Sequence, residues 1–189
     1  EKFRSLHGTI PVIFVSFSDI KESNYHDTVT SINELVTSIY RYFTRLLDIT
    51  KFSDWERELF SSIRNDINDQ KLKRSLRNLS ECLTYQYGNK PIILLDEYDT
   101  PLQEAWLKGY WDELVDFLRG FLNSTFKTNP YLERGLITGI TRISKESIFS
   151  DLNNLKVVST TTNCYTDCFG FTEEEVFAAM DEYGLTEKT

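Results

Sequence analysis

The chain has 189 residues, 40% of them hydrophobic and 26% charged, the mix of a globular domain and enough length for one sizeable core. Its net charge of −8 and pI near 4.9 exclude a global electrostatic bias toward nucleic acid. No apolar run approaches the length of a membrane span and no signal-peptide pattern opens the chain, so a cytoplasmic protein with no membrane partner is expected. The three cysteines, Cys82, Cys164 and Cys168, form no regular framework, which fits a reducing compartment. Cys82 lies on an apolar helix stripe, and Cys164 and Cys168 have no histidine near them, so no zinc site is expected. Lys71, Lys73, Arg74 and Arg77 make a local basic cluster that a solvated helix face explains equally well.

Taken in chain order, residues 11–17 (Pro-Val-Ile-Phe-Val-Ser-Phe) are rich in β-branched and aromatic side chains and predict a strand. From about Asp27 apolar residues recur at Val29, Ile32, Leu35, Val36, Ile39, Tyr40, Phe43, Leu46 and Leu47, the three- and four-residue steps of a long amphipathic helix. Ser53-Asp54-Trp55-Glu56 has capping-box spacing and opens a second helix through Leu59, Phe60, Ile63 and Ile67. A third begins near Asp69, buries Leu72, Leu76, Leu79 and Leu83, and stops by Gly88.

Residues 91–96 (Pro-Ile-Ile-Leu-Leu-Asp) predict a second strand, continuously apolar as in a parallel sheet, running straight into Asp96 and Glu97. Thr100-Pro101 opens a short helix to about Trp106, ended by Gly109, and a further helix runs from Trp111 to Phe126 until Asn129-Pro130. Residues 135–141 predict a third strand with polar Thr138 among apolar neighbours. A helical stretch is expected around 145–152, a fourth strand over 156–161, and a last helix from the capping box Thr172–Glu175. Strands alternating with helices point to an α/β sandwich with a mostly parallel sheet.

Carboxylates at the C-terminal end of a buried strand stand where open α/β sheets place ligands. An aliphatic strand ending in Asp-Glu has the pattern of a Walker B segment, in which the Asp is associated with Mg²⁺ and the Glu polarises the attacking water. A buried strand whose acidic end caps the next helix has the same pattern. In ATPases of the additional-catalytic-glutamate class a later strand lies beside this one and carries a polar sensing residue. Thr138 sits in that position, with Arg142 just beyond the strand end, whereas a core hydroxyl and a surface ion pair are the plainer readings of these two residues.

Three stretches, IILLDEYDTPLQEAW, GLITGITRISKESIFSDLNNL and CFGFTEEEV, together resemble the bacterial AAA-ATPase-like family from about Gly8 to Leu185. Many of its members carry a nuclease-like domain of the PD-(D/E)xK type after the ATPase. The resemblance implies a three-layer P-loop NTPase-like fold, with a mostly parallel sheet and helices on both faces. It also implies ATP and Mg²⁺ as ligands, Asp96 as the metal-associated carboxylate, Glu97 as catalytic base, and Thr138 and Arg142 as sensing residues. Contact with nucleic acid would come only through a linked nuclease-like domain. Asp99 and the 144–154 loop match the family without a role that follows from chemistry.

The pattern fails at one point. A phosphate loop, G-x-x-x-x-G-K-S/T, is absent: among eight glycines only Gly88-Asn89-Lys90 places a lysine close behind, without the rest of the motif. The expectation is therefore one partial domain over 1–189 that lacks the loop and its strand. It would carry a helical insertion at about 27–88 and the start of a C-terminal helical region at about 171–189. Strands 11–17, 91–96 and 135–141 should pair in parallel in that order. The free edge of 135–141 would then need cover from the strand at 156–161, a second chain or the missing segment. Two other functions compete. A metal-dependent nuclease would need an acid on strand 135–141, which has none. A non-catalytic interaction module would use the helices at 27–48 and 110–127.

Overall fold

Three short strands pair in parallel in the order β1-β2-β3: β1 Val12–Ser16, β2 Ile92–Asp96 and β3 Arg134–Ile137. The computed structural model describes residues 4–65, 68–140, 148, 149, 152, 154–159, 162, 164, 165, 168 and 170–185. Register pairs Val12 with Ile92 and Ser16 with Asp96 on one side, and Ile92 with Arg134 and Leu95 with Ile137 on the other. Both expected parallel pairings are present. The fourth strand is not: residues 156–159 form no strand, and 160 and 161 lie outside the described residues. That segment, Lys-Val-Val-Ser, has β-branched residues but among the described residues no ladder partner, and propensity alone does not hold a strand.

Between β1 and β2 run α1 Tyr25–Thr44, α2 Asp54–Asn65 and α3 Asp69–Tyr87. Each opens on a polar side chain that accepts a backbone N–H of its first turn: Asn24 from Asp27, Ser53 from Glu56, Asn68 from Lys71. The Ser53 box is reciprocal, since Glu56 accepts the Ser53 N–H at 2.7 Å. Gly88 closes α3 at φ +74°, the left-handed conformation that glycine adopts without a Cβ penalty. After β2 come α4 Thr100–Lys108 and α5 Trp111–Leu122, and α5 runs on into a π-helical turn, Asn123–Lys127. The contact pattern divides the chain into two units, Glu1–Asn153 and Asn154–Thr189. In the second, α6 Glu173–Glu182 begins on the expected Thr172–Glu175 capping box.

The core of the first unit gathers on one sheet face. Ile13, Val15, Phe17, Ile93 and Leu95 are fully buried there, together with Ile32, Val36, Leu76, Leu79, Leu114 and Phe121 from α1, α3 and α5. Burying a side chain of this size contributes about 1.5–3 kcal/mol, so this face supplies much of the stabilisation. The other face differs from the expectation of a helix layer on both sides. Val12, Phe14 and Leu136 point away from the core and remain 45%, 58% and 55% exposed. Alternation explains it: β1 and β2 are apolar on both faces up to Ser16 and Asp96, but the described helices of this unit gather on the face made by the odd-numbered residues. No described helix is long and apolar enough to cross a membrane.

Candidate functional site

The open sheet face is apolar along its length and polar at its carboxyl end. Alternation and register put Val12, Phe14 and Ser16 of β1 on this face beside Ile92, Leu94 and Asp96 of β2. The β2–β3 pairing continues one residue past β3. The Thr138 N–H donates to the Leu95 carbonyl at 2.9 Å, and the Thr138 carbonyl accepts from the Tyr98 N–H at 3.1 Å. Thr138 is thereby set beside Asp96, and its hydroxyl donates to Asp96 Oδ1. On the other flank the Phe17 N–H donates to the Asp96 carbonyl at 3.0 Å, which fixes the Asp96 backbone between both neighbours. Asp96 is half-buried and Thr138 exposed, so this end of the face is open to a ligand.

Glu97 follows in the left-handed region at φ +51°, where only one other described non-glycine residue, Tyr165, is found. An L-residue pays roughly 1 kcal/mol or more for this conformation. The turn is closed by the Thr100 N–H on the Glu97 carbonyl at 3.1 Å, and the Thr100 hydroxyl holds Glu97 Oε2 at 3.0 Å. The chain leaves β2, reverses sharply and re-enters a helix at Thr100, with Pro101 preset for the first turn. This places two adjacent carboxylates, Asp96 and Glu97, at one strand end with different backbone conformations.

Asp99 precedes α4 and is 1% exposed. Its Oδ2 accepts from Gln103 Nε2 at 3.1 Å, and its other oxygen packs against Gly139. A Cβ on Gly139 would stand 2.5 Å from Asp99 Oδ1 and 2.6 Å from the Tyr98 ring, so only glycine fits there. The structure therefore brings Asp96, Glu97 and Thr138 together. Arg142, the fourth residue singled out in the sequence, lies outside the described residues, as does most of the 144–154 loop.

Comparison with known proteins gives these features a family. A family model described as "Predicted AAA-ATPase" matches residues 1–149, well over half of the chain. The chain belongs to the predicted AAA-ATPase family. One curated relative, an uncharacterized protein in the vnfD 5′ region of Azotobacter chroococcum mcd 1, is 30% identical over 94 residues. That stretch is 49% of this AAA-ATPase-like chain and 18% of the relative, so the chain corresponds to a minor part of that protein's length. No solved structure matches.

The side chains at the strand ends suit a hard divalent cation of the kind an AAA-ATPase-like chain would use. They are oxygen donors only, a half-buried carboxylate at Asp96 with Thr138 hydrogen-bonded to it and Ser16 in register alongside. Mg²⁺ is commonly held in this way, by one or two carboxylates with water completing its shell. Among the described residues no group of three or more His, Cys, Asp or Glu forms a closed metal cage.

Sequence reasoning missed two members of this constellation. Ser16 carries no motif signal within its strand, yet its step of two from Phe14 puts it on the same face as Asp96. Thr100 was read as a helix cap, whereas its hydroxyl holds Glu97. Pairing register would have revealed the first, and the Glu97–Thr100 spacing of three the second.

Proposed function

We propose that this chain is the core of a nucleoside-triphosphatase domain whose chemistry is carried out at the carboxyl end of β2 and β3. Asp96 is assigned to the Mg²⁺-associated carboxylate, Glu97 to the base that orients and deprotonates the attacking water, and Thr138 and Arg142 to sensing the γ-phosphate. Bound there, Mg²⁺ would neutralise charge on the phosphate oxygens. The observation that carries the reading is the Thr138 hydroxyl on Asp96, which joins the two adjacent strand ends that the sequence motifs separately singled out. Family membership supports it.

Each residue has a physical task. Thr138 fixes the Asp96 carboxylate by donating to one oxygen and leaves the other for a ligand. Glu97, on the next residue, reaches a different direction because of its left-handed backbone. Release from the Thr100 hydroxyl would free its carboxylate to accept a proton from water, a step general-base catalysis typically accelerates by about 10²–10⁴. The sequence holds no phosphate loop, so turnover is proposed for a polypeptide that combines such a loop with these residues. The 189 residues alone are expected to bind nucleotide weakly or not at all. A nuclease role finds no acid on β3, whose residues are Arg134, Gly135, Leu136 and Ile137.

Calorimetry with Mg·ATP tests this on two proteins, the present chain and a version extended upstream to include a phosphate loop, each with Glu97→Gln. The expected result is binding only by the extended protein, with Glu97→Gln retaining ATP while turnover falls about 10²–10⁴-fold. ATP hydrolysis by the 189-residue chain, or undiminished turnover in the Glu97→Gln extended protein, would overturn the assignment.

A further inference from the structure

We infer that Asp99 is a positioning residue: its buried carboxylate, packed on Gly139, sets the exit of β3 so that Thr138 stands beside Asp96. The inference rests on the reading of Asp96 proposed above and names what holds that site in register.

Asp99 occupies the N-cap of α4, where an aspartate ordinarily accepts a backbone N–H from the first turn. Here the side chain makes no such bond. Pro101, at the second position of the helix, offers no N–H, so one of the two usual donors is unavailable. The carboxylate turns instead toward the end of β3, with Oδ2 held by Gln103 Nε2 and Oδ1 against the Gly139 backbone. The carboxylate is almost completely buried, so the groups around it hold it in one place.

Its place in the chain explains what the burial does. Tyr98 and Asp99 are consecutive, as are Thr138 and Gly139. The Tyr98 N–H already holds the Thr138 carbonyl at 3.1 Å. Asp99 on Gly139 adds a side-chain contact one residue further along both segments, where the ladder itself has ended. Thr138 is thus gripped on its N-terminal side by Leu95, at its carbonyl by Tyr98, and on its C-terminal side through Gly139 by Asp99. Gln103, one helical turn on, keeps the carboxylate from swinging away.

Residue-resolved amide hydrogen exchange on the 189-residue chain tests this directly, with wild type, Asp99→Ala and the isosteric Asp99→Asn. Protection of the Thr138 and Tyr98 amides should fall about tenfold in Asp99→Ala. The Phe17 and Ile92 amides, which tie β1 to β2, should stay unchanged. Asp99→Asn, with the same volume, should recover most of the protection. Unchanged Thr138 and Tyr98 protection, or an equal fall at all four amides, would overturn the positioning role.

A second readout uses Mn²⁺ alone, followed by electron paramagnetic resonance. Asp96→Asn should abolish binding and Asp99→Ala weaken it about tenfold, because the carboxylate survives but its setting is lost. Equal affinity in wild type and Asp99→Ala counts against the inference. Failure of the wild-type chain to bind Mn²⁺ would instead sink the metal reading of Asp96, while the exchange comparison still decides the role of Asp99.

Discussion

The two faces of the sheet are built from alternate residues of the same three strands, yet they do different work. On the covered face Ile13, Val15, Ile93 and Leu95 are fully buried beneath helices, and the row ends on Phe17, also buried. On the open face Val12, Phe14 and Leu136 remain exposed, and the rows end in Ser16, Asp96 and Thr138. One face is spent on stability and the other keeps its polar end accessible. A step of one residue along a strand therefore moves a substitution from folding to the proposed chemistry.

The largest test of that contrast is Leu95→Ala. It should cost about 2–5 kcal/mol in urea unfolding, the usual toll of emptying a packed aliphatic site. A loss below 1 kcal/mol would mean the covered face is not the core.

Alkaline pH probes the same side through two buried groups. Burial pushes the Cys82 thiol up from 9.0 and the Tyr40 phenol well above 10.0; the Tyr40 hydroxyl donates to the Ser75 carbonyl at 2.6 Å. Both stay neutral in the folded protein at pH values where the unfolded chain ionises. Their stabilisation is complete below about pH 9 and is lost as pH rises, by up to about 1.4 kcal/mol per pH unit and group. Urea midpoints should fall above about pH 9, and less steeply in Tyr40→Phe. A flat profile would show that these groups become solvated in the folded state.

Glu97 lies between the faces and should respond in the opposite direction. Glu97→Gly relieves the left-handed backbone and is expected to raise stability by about 0.5–1 kcal/mol while removing the proposed base. Loss of stability would instead show that the Thr100 hydrogen bond outweighs the strain. The smallest effect is expected on the open face, where Phe14→Ala should cost under about 1 kcal/mol because most of the ring is already in water.

Much of this was legible in the sequence for physical reasons. The apolar steps of α1 and α3, the glycine stops at Gly88 and Gly109 and the capping boxes at Ser53 and Thr172 are local signals, and they produced the expected elements. The parallel pairing of the strands followed from their alternation with helices, and their order is the one that the family resemblance implies. The strand expected at 156–161 is absent over the described residues 156–159, because β-propensity says nothing about a pairing partner. Which sheet face the described helices of the first unit cover was not legible, because β1 and β2 are apolar on both faces up to Ser16 and Asp96, so their pattern cannot tell a covered face from a bare one. At the site, Asp96 and Thr138 were found as motif residues, but Ser16, Thr100 and the orientation of Asp99 depend on register and backbone angles that a linear pattern does not encode.

The π-helical turn at Asn123–Lys127 makes this part of the molecule sensitive to chain length more than to composition. It carries Phe126 onto Gly135, where a Cβ would stand 2.6 Å from the ring, so the end of α5 meets β3 through one aromatic side chain. Removing a single residue from the turn would restore ordinary helical spacing and swing Phe126 by about 100° around the axis, off the glycine. Many substitutions at Asn123 or Lys127 should be tolerated. A one-residue deletion between them should not, because it would withdraw the ring that β3 rests on and loosen the strand that delivers Thr138 to Asp96.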